Sequence, residues 1–225
     1  MSRSKRYRAL KDKIQRAKVY GLDEAVGFLS SGDNTQLDSA VELHLRAGID
    51  VKQSDQAVRG TVVLPHGSGR QRRIAALTAN PDAAKAAGAS LAGGEEIIND
   101  IKTTGKIEFD VLVAEPAFMP KLASVAKTLG PRGLMPSPKD GTVAPDATRA
   151  IKELARGKVT FKNDDTGNIH LLVGRVSFGA DKIKANVQAA FEAVKAARPA
   201  NIKGIYIQSV TLATTMGPGI KIELK

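Results

Sequence analysis

Three short stretches of this chain combine residue types that could meet an anion. HGSGRQRR, residues 66–73, follows an apolar run and sets glycine amides beside arginines, the material of a phosphate cradle. It lacks the GxxxxGKS/T spacing, and GxGxxG fails because Arg70, Gln71 and Arg72 follow Gly69, so a turn with exposed arginines is the plainer reading. GPRGLMPSPKDGTV, residues 130–143, puts three glycines and three prolines around Arg132 and Lys139. Prolines fix φ and glycines open unusual angles, so this is a rigid loop, whether or not its cations meet phosphate. The third stretch is TTMGPG, residues 214–219, where a C-terminal strand is interrupted by Gly-Pro-Gly. One reading is a turn or bulge in which Gly217 and Gly219 supply special backbone angles and Met216 packs inward. The other keeps those angles and turns amides, threonine hydroxyls and the methionine outward, toward the backbone and sugar of a nucleic acid.

Catalysis finds no such material. The chain has no cysteine, which excludes disulfides, thiolate nucleophiles and cysteine-ligated metals. His44, His66 and His170 are scattered and show no ligand spacing, so neither a metal nor another cofactor is expected. No G-x-S-x-G elbow is present.

The charge points to a partner instead. With 34 Lys and Arg against 23 Asp and Glu, the chain carries +11 and a pI near 9.9, which suits a polyanion. Residues 1–20 hold eight of those cations and one acid, more than half of the surplus. Aromatics make up 4% of the chain and tryptophan is absent, so recognition by stacking on many rings is disfavoured. Phosphate, sugar and backbone contacts should dominate any RNA complex. No apolar run approaches the roughly 18 to 20 residues of a membrane span, and the N-terminus lacks a signal-peptide core, so the expectation is a cytoplasmic protein with no membrane partner.

The elements that must position these stretches can be read from periodicity. Leu22, Ala25, Val26 and Leu29 form one face of a short helix, and Val41, Leu43 and Leu45 alternate with Glu42, His44 and Arg46 as a half-buried strand does. GTVVLPH reads as a further strand. Beyond it, RIAALTA and FDVLVAEP are continuous apolar runs separated by helical segments, with Asn80 and Pro81 placed to open one helix and FMPKLASVAKTLG reading as another. That alternation predicts an α/β layer with a parallel sheet. After residue 158, KVTFKN and GNIHLLVG read as strands joined through Asp164–Gly167 as a hairpin. A helix with Ile183, Val187, Ala190, Phe191 and Val194 on one face follows, and then a strand alternating Ile205, Ile207, Val210 and Leu212. Neither terminal part has partners of its own. Joining both into one α+β domain, residues 1–67 plus 159–225, with an α/β domain of residues 68–158 inserted between two chain crossings, lets each bury its apolar face.

Seven stretches in order, SDQAVRGTVVLPHGSGR, AGGEEII, FDVLVAEP, LGPRGLMPSPKDGTV, NDDTGNIH, VGRVSF and KGIYIQSVTLATTMGPGIKI, resemble the family of the large-subunit ribosomal protein numbered one, bacterial type. The resemblance covers nearly the whole chain. It implies an RNA-binding α+β domain built from both termini and an inserted three-layer, Rossmann-like α/β domain that opens and closes on a hinge. It also implies a role without catalysis: a monomer off the ribosome, which binds large-subunit rRNA at the mobile stalk and assists release of deacylated tRNA from the exit site. Repression of translation by binding the mRNA of its own operon is implied as well.

By the same resemblance the RNA surface comprises Ser209, Thr215, Met216 and Gly217, with Leu37 and Glu42 beside it and Lys162 and His170 as further contacts. One departure bears on that edge. Where the family commonly reads Lys-Phe-Asp-Glu-Thr, this chain has Gln36, Leu37, Asp38, Ser39 and Ala40. A phosphate contact and a stacking ring are thereby lost, and this edge is expected to contribute less. The alternatives from the residues alone are a nucleotide- or phosphate-binding enzyme that uses HGSGR or GPRG as its anion loop, and a nonspecific basic RNA chaperone.

Overall fold

The computed structural model describes residues 4–15, 17–32, 37–202 and 204–224. The chain divides into two compact units, Met1–Gly69 with Gly157–Lys225, and Arg70–Arg156. It opens with α1 (Lys5–Asp12), α2 (Leu22–Gly32), β1 (Ala40–Ala47) and β2 (Arg59–Val63). The second unit then contributes β3 (Ile74–Leu77), α3 (Pro81–Ala86), β4 (Leu91–Gly93), α4 (Glu95–Thr104), β5 (Val111–Ala114), α5 (Met119–Leu122), α6 (Ala126–Leu129) and α7 (Ala147–Ala155). The chain returns to the first unit through β6 (Lys158–Lys162), β7 (Asn168–Arg175), α8 (Ala180–Ala196), β8 (Ile207–Thr214) and β9 (Ile220–Ile222). Among the described residues no helix is long and apolar enough to cross a membrane.

In the first unit the main sheet runs β7-β1-β8-β9, antiparallel throughout. One face is apolar: Val41, Leu43 and Leu45 of β1, Ile169, Leu171 and Val173 of β7, and Val210 and Leu212 of β8 are buried. Ala25, Val26 and Leu29 of α2 and the 183/187/190/191/194 stripe of α8 belong to the same core. Burying each large side chain contributes about 1.5–3 kcal/mol, and a slip of one residue would turn the whole row to water, so the register is fixed by this face.

Two expectations change here. β6 forms its ladder with β2, while the bridge Asn163–Ile169 and the Asp164 amide on the Asn168 carbonyl link its end to β7, so the 164–167 turn joins strands of different sheets. The last long strand also begins later than its alternation suggested. Ile205 is exposed while Tyr206 is buried, because the β1–β8 register shifts between Arg46 and Ala47 and one extra residue is accommodated there.

HGSG marks the place where two chain segments cross. Gly157 has φ +100°, and a Cβ on it would lie 2.4 Å from the Cα of Gly67, so neither strain nor space admits a side chain. The fully buried Asn186 of α8 holds the crossing. Its Oδ1 accepts from the His66 amide at 3.0 Å, and its Nδ2 donates to the carbonyls of Gly67 at 2.9 Å and Val173 at 2.7 Å.

In the second unit three parallel strands run β4-β3-β5. Ile74 to Leu77 are all buried because helices cover both faces: Ala75 and Leu77 pack with α4, α5 and α6, and Ile74 and Ala76 with α3 and α7. Asn80 does precede α3, but its side chain makes no capping bond. The FMPKLASVAKTLG segment is two single-turn helices separated by a 3-10 turn rather than one helix.

Candidate nucleic-acid interface

The opposite face of the main sheet is polar, and the register arranges it in rows. Arg46 lies between Asn168 and Ser209, His44 between His170 and Thr211 with Lys221 next to Thr211, and Glu42 between Leu172 and Ala213. Alternation in β1 is the cause: every residue whose neighbour enters the core is turned to this face.

The middle row holds an imidazole pair. Nδ1 of His44 and Nδ1 of His170 are 2.8 Å apart, with the rings edge to face at 5.0 Å. One Nδ1 therefore donates to the other, and both cannot carry a proton without parting. Nε2 of His44 faces Glu42 at 3.6 Å, and Nε2 of His170 faces Asp164 at 3.5 Å. Burial first, and then the charge of His170, push the His44 imidazole below its usual value, against the pull of Glu42. Asp164 is held well below the usual carboxylate range by the Asn168 amide, by the hydroxyl and amide of Thr166, and by the Asn168 side chain.

At the end of β1 and β8 the sheet closes in TTMG. β9 leaves β8 at the Leu212–Ile220 pair, yet β8 stays bound to β1 through Val41–Thr214, and the Thr215 amide donates to the Ala40 carbonyl at 3.0 Å. The interruption is thus a change of partner at the sheet edge, and the strand itself continues. The Gly217 amide closes a turn onto the Thr214 carbonyl at 3.0 Å. Neither Gly217 nor Gly219 has a positive φ, so special angles are not what they supply. Space is. A Cβ on Gly217 would stand 2.2 Å from Thr214 Oγ1, and one on Gly219 would stand 2.9 Å from Thr211 Cγ2. The turn is consequently tight and presents Met216, 58% exposed, outward rather than inward.

Leu37, 78% exposed, lies just before β1 at the same end. Its neighbour Asp38 anchors that approach by accepting from the amide and hydroxyl of Ser177 at 3.1 and 2.8 Å, while Arg175 Nη1 donates to the Asp38 carbonyl at 2.8 Å. Gln36 lies outside the described residues.

The structure therefore brings Ser209, Glu42 and His170 onto one face and Thr215, Met216, Gly217 and Leu37 to one end of it. Lys162 is elsewhere, exposed at the end of β6 opposite Arg59 in the two-stranded sheet. His44, Arg46, Thr211 and Lys221 share the face and were not singled out from sequence. Alternation alone would have found His44 and Arg46. Arg6 was missed as well: its Nη2 donates to the Met216 carbonyl at 3.1 Å, a contact across 210 residues.

The two candidate anion loops are differently employed. In HGSGR the His66 amide is bound by Asn186, the Gly67 amide donates to Leu64, and Ser68 is buried. In GPRG the amides of Gly130, Gly133 and Leu134 donate to Ala126, Gly130 and Leu129. Thr142 then clasps the loop through Ser137, its hydroxyl accepting from the Ser137 amide at 2.8 Å. Beyond the ends of β3 and β5, Glu115 accepts from the Thr78 hydroxyl and, at 3.3 Å, from the Ala79 amide, filling with its own carboxylate a place where a phosphate would need donors. Among the described residues no group of three His, Asp or Glu could hold a metal ion.

A polar sheet face with an exposed turn at one end is an arrangement suited to binding. The profile of the ribosomal protein L1p/L10e family matches residues 29–218. The chain is 43% identical over 221 residues to large ribosomal subunit protein uL1 of Mycoplasma capricolum subsp. capricolum, with 98% of each covered. It is 44% identical over 222 residues to the uL1 of Mesoplasma florum, again with 98% of each covered. Against the uL1 of Fervidobacterium nodosum it is 43% identical over 223 residues, covering 98% of this chain and 95% of that one. The chain belongs to the ribosomal protein L1p/L10e family. It is a structural, non-enzymatic constituent of the large ribosomal subunit, in the cytoplasm.

Proposed function

We propose that this protein binds large-subunit rRNA at the ribosomal stalk through the outward face of the main sheet and the Thr215–Gly217 turn. The observation that carries the reading is the turn itself, which is closed by a backbone bond, leaves no room for a side chain at 217 unless Thr214 moves, and is crowned by an exposed Met216. Such a surface offers shape, hydroxyl and apolar contact for sugar and backbone, the kind of readout RNA favours. Ser209, Glu42 and His170 contribute from the sheet, Leu37 packs against RNA at the same end, and Lys162 supplies an outlying phosphate contact. The unit of both termini acts as the RNA-binding domain, and residues 70–156 as an inserted Rossmann-like domain.

In the ribosome the protein assists release of deacylated tRNA from the exit site, and off it, as a monomer, it represses its own operon by binding the mRNA. A single RNA surface supports the last role, because mRNA and rRNA would then compete for it. The test is binding to a stalk rRNA fragment and to a scrambled RNA across a salt series, with Thr215→Val and Met216→Ala variants of verified fold beside the native chain. A preference for the stalk fragment that persists at high salt and is lost in the variants is expected. Equal binding of both RNAs with a steep salt slope and indifferent variants would leave phosphate attraction alone and overturn the reading.

A further inference from the structure

The helix α1 is unlike the rest of its unit. It carries Lys5, Arg6, Arg8 and Lys11 against Asp12, and none of its side chains is buried. Apolar burial therefore does not hold it, and helices shorter than about 12–15 residues are marginal in water by themselves. Lys5, Arg8 and Lys11 follow at intervals of three and are exposed, so three cations share one broad side of the helix.

The helix is also placed. Ser4 Oγ accepts from the Tyr7 amide at 3.3 Å to cap it, and Arg6 donates to the Met216 carbonyl at 3.1 Å, so a basic helix is tied to the tip of the turn. With no buried apolar stripe, α1 does not suit a bilayer, and its charge complements a phosphate backbone.

We propose that α1 is a second, electrostatic arm of the RNA interface. Arg6 positions it on the Met216 carbonyl, while Lys5, Arg8 and Lys11 neutralise phosphates of an RNA seated on the turn. The proposal rests on the reading given above for that turn. The arm grips any phosphate backbone and leaves discrimination to the turn.

The test uses the full chain, with the stalk rRNA fragment and a scrambled RNA titrated across a potassium chloride series. A Lys5→Gln/Arg8→Gln/Lys11→Gln variant is compared with Lys85→Gln/Lys102→Gln/Lys106→Gln, an equal loss of exposed charge in the other unit. Three lost phosphate contacts should flatten the slope of log affinity against log salt by about 2, at roughly 0.7–0.9 per contact. That change should be the same for both RNAs, leaving their affinity ratio intact, while the control keeps the native slope. Arg6→Gln should flatten the slope by more than its single charge, because the arm is released. An unchanged slope in the α1 variant, or an equal loss in the control, would overturn the proposal. So would α1 amides that gain no hydrogen-exchange protection when RNA binds. Failure of the native chain to prefer the stalk fragment would instead refute the assigned recognition turn, which the slope comparison does not measure.

Discussion

Replacing Gly217 by alanine tests why the recognition turn needs glycine. The new Cβ would stand 2.2 Å from Thr214 Oγ1, well inside the 3.0 Å approach that real Cβ atoms essentially never make. Thr214 is only 7% exposed, so its hydroxyl cannot swing freely away. Either the threonine leaves its rotamer, at about 0.5–1.5 kcal/mol, or the 217 amide lets go of the Thr214 carbonyl, at about 0.5–1.5 kcal/mol. Local opening of the turn should become easier by roughly 0.5–1.5 kcal/mol, the cost of whichever of the two gives way. The other atoms near that Cβ are Thr214 Cβ at 3.5 Å and Thr214 N at 3.8 Å, both ordinary contacts. In a Thr214→Ala background the same substitution should therefore cost less than about 0.3 kcal/mol, giving a coupling of about 0.5–1 kcal/mol in a double-mutant cycle. The assay is native-state hydrogen exchange at the amides of residues 215 and 217, with affinity for the stalk fragment measured alongside. An equal cost in both backgrounds would refute the steric account and return the explanation to backbone angles.

At the chain crossing, Gly157→Ala meets both a left-handed φ and the Gly67 Cα, so it should destabilise the first unit by more than about 2 kcal/mol in urea unfolding; a midpoint shifted by less would mean that the crossing is loose. Asn186→Leu leaves the His66 amide and the Gly67 and Val173 carbonyls without their partner, and should cost about 2–5 kcal/mol by the same measurement, whereas near-neutral behaviour would show that water or a shift of the loop replaces it. For His44 the native imidazole titrates below the unfolded one, so as pH falls through about 6.5 the unfolded chain takes the proton first and native stability declines. Urea midpoints at pH 7.5 and 5.5 should show a smaller acid loss in His44→Gln than in the native chain, and an identical loss in both would exclude the pair as its source.

What could be read from sequence followed local periodicity, and what could not depended on residues far apart in the chain. Val41, Leu43 and Leu45 announce a strand with one wet face, the α8 stripe announces a helix, and FDVLVAEP announces a strand covered on both sides. The extra residue near Gln208 shifts the phase of β8 and strands Ile205 in solvent, and no local pattern reveals it. β6 has alternation suited to pairing with either neighbour, and only tertiary packing gives it to β2. His44 and His170, 126 residues apart, become hydrogen-bonded solely because β1 and β7 share a register. At the turn, TTMGPG shows that glycine matters but not how: a glycine required for a left-handed angle and one required for space look alike in a sequence.

The distribution of charge separates two tasks that the +11 total runs together. On the sheet face the formal charges of Arg46 and Lys221 are matched by Glu42 and Asp164, with the two histidines between them. A face so balanced attracts no polyanion strongly, and an RNA held by it must be held through fit. The surplus lies instead in residues 1–20, and the described part of that segment is tied to the turn by Arg6. If attraction resides in the arm and fit in the turn, neutralising the arm should weaken every RNA by a similar factor at low salt and matter little at high salt. Reshaping the turn should do the reverse, sparing the scrambled RNA while lowering affinity for the stalk fragment at all salt concentrations.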